Sequence, residues 1–230
     1  MKTALITGAS RGLGLALARR LALDGWGLIL DGRDPGAIEQ VQAELAGNTK
    51  VIAIAGDVTE AAHRKQLAEG AKQLGGLDAL INNASFLGPS PQPALLDYPL
   101  DVLQRVYLTN LTAPLALIQE LRPQLKAEAC ILNVTSDAGV EPYPGWGGYG
   151  SSKAALEHLS AVLAAENPSW RVYWVDPGDM QTQMQQEAFP GEDISDRALP
   201  EESVPGLMTL IAGEYPSGRY RAREVQAHGI

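Results

Sequence analysis

A single cysteine, Cys130, stands in a chain of 230 residues, so no intramolecular disulfide and no multi-cysteine metal site can be built. That scarcity fits a reducing compartment. The thiol, inside Ala129-Cys130-Ile131-Leu132, reads as a small core side chain. Histidine is nearly as rare: His63, His158 and His228 share no ligand spacing, and no metal is expected. Positive charge is short as well, with 18 Lys and Arg against 27 Asp and Glu and a net charge of −9. No basic stripe is present, which argues against a nucleic-acid partner, because neutralising a phosphate backbone needs one. Long apolar runs are missing too. The run that begins at Ala4 is broken at Thr7 and Gly8, far short of a bilayer span, and no signal peptide is visible. A cytoplasmic protein with no membrane partner is therefore expected. No repeat, low-complexity tract or linker divides the sequence, and residues 1–230 are expected to form one domain.

What is present is an alternation of short apolar runs with helical stretches. Ala4-Leu5-Ile6, Gly27-Leu28-Ile29-Leu30 and Val51-Ile52-Ala53-Ile54 read as strands, followed by Ala79-Leu80-Ile81, Ile131-Leu132-Asn133-Val134 and Val172-Tyr173-Trp174-Val175. Helices are expected from Leu13 to Leu23, Pro35 to Leu45, Leu100 to Leu121 and Tyr149 to Glu166. Such an order predicts an α/β fold, a doubly wound parallel sheet with helices on both faces. Ligands of such sheets bind beyond the carboxyl ends of the strands, which here are followed by Gly8, Arg33, Asp57, Asn83, Ser136 and Pro177. The segment from Met180 to Pro200 lacks a clear period and reads either as a surface loop or as a lid over a substrate. A helix from Glu201 to Ala212 is weakened by Pro205 and Gly206, and Gly218-Arg219-Tyr220-Arg221 could be a last strand.

Gly8, Gly12 and Gly14 sit between an expected strand and an expected helix. Glycines there permit a tight turn and close backbone approach, and the helix N-terminus offers unpaired N–H groups to a pyrophosphate. After the second strand the chain reads Leu30-Asp31-Gly32-Arg33. Asp31 could accept a hydrogen bond from a free ribose 2′-hydroxyl, whereas Arg33 and Arg11 could clamp a 2′-phosphate. Both choices are open on residues alone. Tyr149 and Lys153 lie four residues apart, hence on one helix face. Beside a nucleotide site and an apolar run leading to Ser136, they suggest a phenol that passes a proton.

These residues together resemble the classical short-chain dehydrogenase/reductase family from Thr7 to about Thr182, roughly three quarters of the chain. Thr7-Gly8-Ala9-Ser10-Arg11-Gly12-Leu13-Gly14 matches the family's TGxxxGxG turn, and Asp57-Val58 resembles its adenine-contacting pair. Asn82-Asn83-Ala84-Ser85 resembles NNAG with serine for the final glycine. Asn110 falls at the family's helix asparagine, and Ser136, thirteen positions before Tyr149, at its serine. Tyr149 with Lys153 matches YxxxK, and Pro177-Gly178 with Thr182 resembles the PGxxxT segment. The ending after Thr182 does not follow the common family pattern.

The resemblance implies a Rossmann-type three-layer α/β/α fold and a nicotinamide cofactor. It places Gly32, not Asp31, where NAD-preferring members carry an acid, which favours NADP(H) and leaves NAD(H) possible. It implies contacts to that cofactor from Gly8, Ser10, Arg11, Gly12, Leu13, Gly14, Arg33, Asp57, Val58, Asn83, Ala84, Tyr149, Lys153, Pro177, Gly178 and Thr182. It also implies a catalytic set of Asn110, Ser136, Tyr149 and Lys153. In that set Tyr149 is acid/base, tuned towards neutrality by Lys153 and by the positive nicotinamide of an oxidised cofactor, and Lys153 anchors the nicotinamide ribose. Ser136 donates to the substrate oxygen, and Asn110 holds a water linking Lys153 to solvent. Phe86, Leu87, Tyr143, Trp146, Met180 and Met184 flank this position, which suggests a small to medium hydrophobic ketone or aldehyde, or the matching alcohol. The family's habit of pairing helices across subunits implies a homodimer or homotetramer. Two other readings stand beside this one. A nucleotide-binding redox sensor would not need the four-residue set. An epimerase or dehydratase usually carries a larger C-terminal region than the 48 residues after Thr182.

Overall fold

Seven parallel strands share one sheet, in the order β3-β2-β1-β4-β5-β6-β7, in this computed structural model, which describes residues 1–226. They are β1 (Thr3–Ile6), β2 (Gly27–Gly32), β3 (Val51–Ala55), β4 (Leu77–Asn82), β5 (Leu125–Val134), β6 (Arg171–Asp176) and β7 (Gly218–Arg221). His228 lies outside the described residues. Between the strands run α1 (Gly12–Leu23), α2 (Pro35–Leu45), α3 (Ala61–Gln73), α4 (Leu100–Tyr107), α5 (Ala113–Leu121), α6 (Gly147–Glu166), α7 (Gln183–Ala188) and α8 (Val204–Ala212). The strand order reverses between β1 and β4, which opens a crevice at the carboxyl edge of the sheet.

The period of two along each strand divides the core into two layers. Ala4, Ile6, Leu28, Leu30, Ala79 and Ile81 face α1, α2 and α8, where Leu17, Leu21, Ile38 and Leu207 meet them. Leu5, Ile29, Leu80, Ile131 and Val172 face the other way, against Leu67 of α3 and Leu117, Ile118 and Leu121 of α5. Because both faces are covered, β1 and β2 are buried along their whole length. This is the three-layer α/β/α arrangement that the alternation predicts.

Several boundaries differ from the sequence reading. The expected helix from Leu100 to Leu121 is split: Leu108–Thr112 forms a π turn between α4 and α5. Its apolar spacing runs on through the turn, so periodicity does not reveal it. Residues 180–200 contain α7 and a bridge pairing Met180 with Ala198, joined by turns. In α8, Pro205 sits in the first turn, where its missing N–H costs nothing. Gly206 lets α8 approach the chain closely: a Cβ there would stand 1.7 Å from the carbonyl oxygen of Ala222. Cys130 lies buried in β5, as its neighbours suggested. No helix among the described residues is long and apolar enough to cross a membrane.

Candidate active site

A cleft of about 1580 Å³ follows the carboxyl ends of the strands. At its start the glycine turn requires its glycines for different reasons. Gly8 and Gly12 adopt φ of 65° and 54°, the left-handed region that other residues avoid. A Cβ on Gly14 would lie 2.4 Å from the carbonyl oxygen of Gly8 and 2.6 Å from Nδ2 of Asn83. Asn83 closes the turn by donating through Nδ2 to the carbonyls of Thr7 (2.8 Å) and Gly8 (3.1 Å). Thr7 Oγ1 accepts from the N–H groups of Asn83 and Ala84. No side chain caps α1, so its first N–H groups stay available to an anion at the cleft. Ser10, Arg11, Gly12 and Leu13 line that wall. The turn, the open helix end and the length of the cleft fit a dinucleotide.

Asp31 has partners within the protein. On β2 its side chain shares the face of Ile29, turned toward α3, and is buried. There Oδ1 pairs with Nε2 of His63 at 2.6 Å, and Oδ2 accepts from the N–H of Gly8 at 3.1 Å. Both oxygens thus have partners within the protein, at a point where Asp31 borders the cleft. Gly32 occupies the opposite parity, packed against Ile38 and Ser10. Arg33 follows it, exposed on the cleft rim. Burial would raise the Asp57 carboxyl, but hydrogen bonds from Thr59 and the charges of Arg33 and His63 outweigh it and hold it low. Val58 lies beside it in the wall. Arg11, the second cation expected here, instead reaches across the cleft to Gln183 of α7.

At the other end lie Tyr149 and Lys153, one turn apart on α6 and both buried. Lys153 Nζ donates to the carbonyl of Val134 at 2.8 Å and sits 5.4 Å from the centroid of the Tyr149 ring. Burial pushes the Tyr149 phenol up to about 12; Asp176 and Asp137 add to this and the Ser85 hydroxyl opposes it. Burial also lowers the Lys153 ammonium to about 7, against the attraction of Glu157. These protein groups hold the phenol in its protonated form, and the tuning towards neutrality that the resemblance implies draws on the charge of a bound oxidised cofactor as well as on Lys153. Burial penalises charge on both groups. Ser136 donates through Oγ to Asp137 Oδ1 at 2.9 Å. Asn110 is buried in the π turn, behind the cleft wall. Its amide donates to Phe86 O and Ser152 Oγ and accepts from Ser85 Oγ and Phe86 N, which fills its capacity.

Aromatic side chains close the space above the phenol. Trp146 packs edge-on against Tyr149 at 5.9 Å between centroids and against Phe189 at the same separation. Leu87, Met184 and Ala188 complete this cluster. Phe86 lies under the guanidinium of Arg105, and Tyr143 donates to Asp137 from a largely exposed position. Met180 is held by its bridge to Ala198 at the base of the 180–200 segment. Pro177 and Gly178 (φ 74°) turn the chain after β6, and Thr182 caps α7 by accepting from Gln185 N at 3.2 Å. All the sequence-selected residues line the cleft except Gly14 and Asn110, which support it from behind. The sequence reading did not select Asp137, His63, Glu157 or Arg219. Adjacency to Ser136 could have singled out Asp137; the others depend on distant partners.

The family model described as short chain dehydrogenase matches residues 2–193. The chain belongs to the short-chain dehydrogenase family. Among curated relatives, the (S)-benzoin-forming benzil reductase of Saccharomyces cerevisiae is 34% identical over 224 residues, covering 93% of this chain and 82% of its own. Sepiapterin reductase of Meriones unguiculatus is 35% identical over 198 residues, covering 79% and 75%. A short-chain dehydrogenase from Pseudomonas syringae superposes with a TM-score of 0.90 at 30% identity, covering 96% of this chain and 94% of that one. One from Shigella flexneri, complexed with NADP, superposes with a TM-score of 0.87 at 28% identity, covering 96% and 97%. The short-chain dehydrogenase assignment makes this chain an oxidoreductase acting between CH–OH and C=O groups with a nicotinamide cofactor. It does not favour the sensor and epimerase readings.

Proposed function

We propose that this short-chain dehydrogenase is an NADP(H)-dependent reductase of small to medium hydrophobic ketones or aldehydes. The observation that carries the proposal is the buried Tyr149–Lys153 pair beneath an aromatic wall, at the far end of a cleft that opens on the glycine turn. A phenol pushed up to about 12 is protonated at neutral pH, the form that gives a proton to a carbonyl oxygen. Ser136 Oγ needs only to turn from Asp137 to donate to the same oxygen. Lys153, held by Val134 O, keeps a donor beside the ribose position. Asn110 braces the loop at Phe86 against α6. Its side-chain amide is fully engaged, so a water linking Lys153 to solvent would be held by other groups.

When bound, the cofactor supplies the hydride. Gly8, Ser10, Arg11, Gly12 and Leu13 would hold its pyrophosphate on a turn that Gly14 keeps tight, Asp57 and Val58 its adenine, and Asn83, Ala84, Pro177, Gly178 and Thr182 its nicotinamide half. Preference for the 2′-phosphate rests on exposed Arg33 and on the engagement of Asp31 by His63 and Gly8. NADP complexes among the structural neighbours support that choice. NAD(H) remains the weaker partner in this reading. Residues 180–200 serve as the substrate lid of a single domain, with Arg11–Gln183 joining lid to cofactor wall. The same reading includes a cytoplasmic homodimer or homotetramer.

Following NADPH and NADH absorbance separately, against carbonyls from benzil and aliphatic ketones to charged and sugar carbonyls, tests the whole reading. Faster NADPH oxidation with hydrophobic carbonyls is expected. Tyr149→Phe should bind NADPH normally yet lose turnover by about 10²-fold or more. Turnover of charged or sugar carbonyls alone, or an active Tyr149→Phe enzyme, would sink it.

A further inference from the structure

Arg219 projects from β7, the strand beyond the region matched by the family model. It pairs opposite Trp174 of β6, and its Nε donates to both carboxylate oxygens of Glu157, at 3.0 and 3.1 Å. Its Nη2 reaches the carbonyl oxygen of Ser136 at 3.4 Å and lies 3.8 Å from Oδ2 of Asp176. Glu157 stands one turn beyond Lys153 on α6 and also accepts from Thr135 Oγ1 at 2.8 Å. Asp176 is buried at the end of β6 and accepts from Gly178 N at 2.9 Å. One guanidinium thus touches the Ser136 main chain after β5 and Asp176 before Pro177, and reaches Thr135 only through Glu157.

We infer that Arg219 is a positioning residue of this site, bracing the Ser136 main chain and balancing the two carboxylates, Glu157 and Asp176, that face Lys153 and Tyr149. The inference rests on the reductase reading for its consequence in turnover, but not for its electrostatics. Burial opposes charge on Lys153, and Glu157 is the carboxylate that supports it. Asp176 and Asp137 oppose ionisation of Tyr149. Around this pair lie Glu157 on α6, the Val134 carbonyl on β5, and Asp137 in the turn after it. Asp176 on β6, Arg219 and Arg221 on β7, Ser85 after β4 and Asn110 in the π turn complete the surroundings. Removing Arg219 leaves Glu157 without its ion-pair partner and Asp176 with Arg221 alone, so Lys153 holds its proton to higher pH. Removing Glu157 does the reverse. Arginine rather than lysine fits this place, because only a planar fork reaches two carboxylates and a carbonyl together.

The test compares Arg219→Gln, Arg219→Lys, Glu157→Gln and the Arg219→Gln/Glu157→Gln double variant. Lys153 ionisation is followed by NMR of isotope-labelled lysine Nζ, assigned with Lys153→Met, and by the pH profile of kcat. The ionisation should move up by about one pH unit in Arg219→Gln, down in Glu157→Gln, and back toward the parent in the double variant. In Arg219→Gln, kcat should fall roughly tenfold with little change in KM for NADPH, because Ser136 loses its brace. Arg219→Lys should restore the ionisation but not the full kcat. Equal ionisation in all variants, or shifts of one sign in both single variants, would overturn the inference. Should Arg219→Gln fail to fold, Arg219→Lys and Glu157→Gln still give opposite answers for a charge role and a merely structural one. The NMR reading needs no substrate, so a chain that reduces no carbonyl defeats the reductase reading while leaving this inference decided.

Discussion

Lys153 holds its Nζ in the protein interior with one carbonyl as partner, and burial draws its ammonium down from 10.5 to about 7. This carries a stability consequence whose sign follows from proton counting. Between those two pH values the unfolded chain binds one proton more than the native state, so stability rises with pH across that window. The cost is absent above the unfolded value and fully felt once pH has fallen to about 7. Lys153→Met should therefore flatten the pH dependence of urea unfolding between about 7 and 10.5, while abolishing turnover. An unchanged slope would mean that Lys153 is charged in the native state at higher pH than its burial implies. At this scale the sequence was informative where chemistry is local. The glycines of the turn and the Tyr149–Lys153 spacing carry their meaning within a few residues. Asp31 does not: its fate depends on His63, thirty-two positions on, which meets it only because β2 parity turns the carboxylate toward α3.

Elements tell a similar story with a different limit. The helices Leu13–Leu23, Pro35–Leu45 and Tyr149–Glu166 were legible because apolar spacing and glycine or proline punctuation agree. The π turn at Leu108–Thr112 was not, since an extra residue within a helix changes hydrogen bonding without breaking the apolar pattern. The short α7 was hidden for want of a period in a six-residue helix. Pro205 and Gly206 looked like helix breakers, yet Pro205 opens α8 and Gly206 gives it close contact with Ala222. Gly206→Ala, favourable by intrinsic propensity, should therefore destabilise the protein by about 1–3 kcal/mol through overpacking. Thermal unfolding reads the sign directly. A raised Tm would mean that α8 can move off the chain at Ala222 without cost.

For the whole molecule, the parallel sheet places every candidate functional segment at one edge, and that much follows from the order of strands and helices alone. Assembly is a matter of the outer surface, where Leu100, Leu108 and Val162 are exposed on α4, the π turn and α6. If these faces pair between copies, Val162→Glu should shift sedimentation from oligomer to monomer at unchanged helix content. A wild-type monomer at micromolar concentration would dismiss the pairing. What the sequence hid at this scale is the reach of β7, because Arg219 meets Glu157 across sixty-two positions of chain. Among the described residues, β7 is an edge strand that pairs only with β6. During synthesis, which releases the chain from its N-terminus, the glycine turn, Tyr149 and Lys153 emerge well before it. Until Gly218–Arg221 arrives, β6 offers an open row of backbone donors and acceptors beside Val172, Tyr173 and Val175, a template for pairing with another chain. A chain that lacks Gly218–Arg221 thus holds its proton-transfer residues but leaves the β6 edge unsealed, so that β7 also shields the sheet from pairing with another chain.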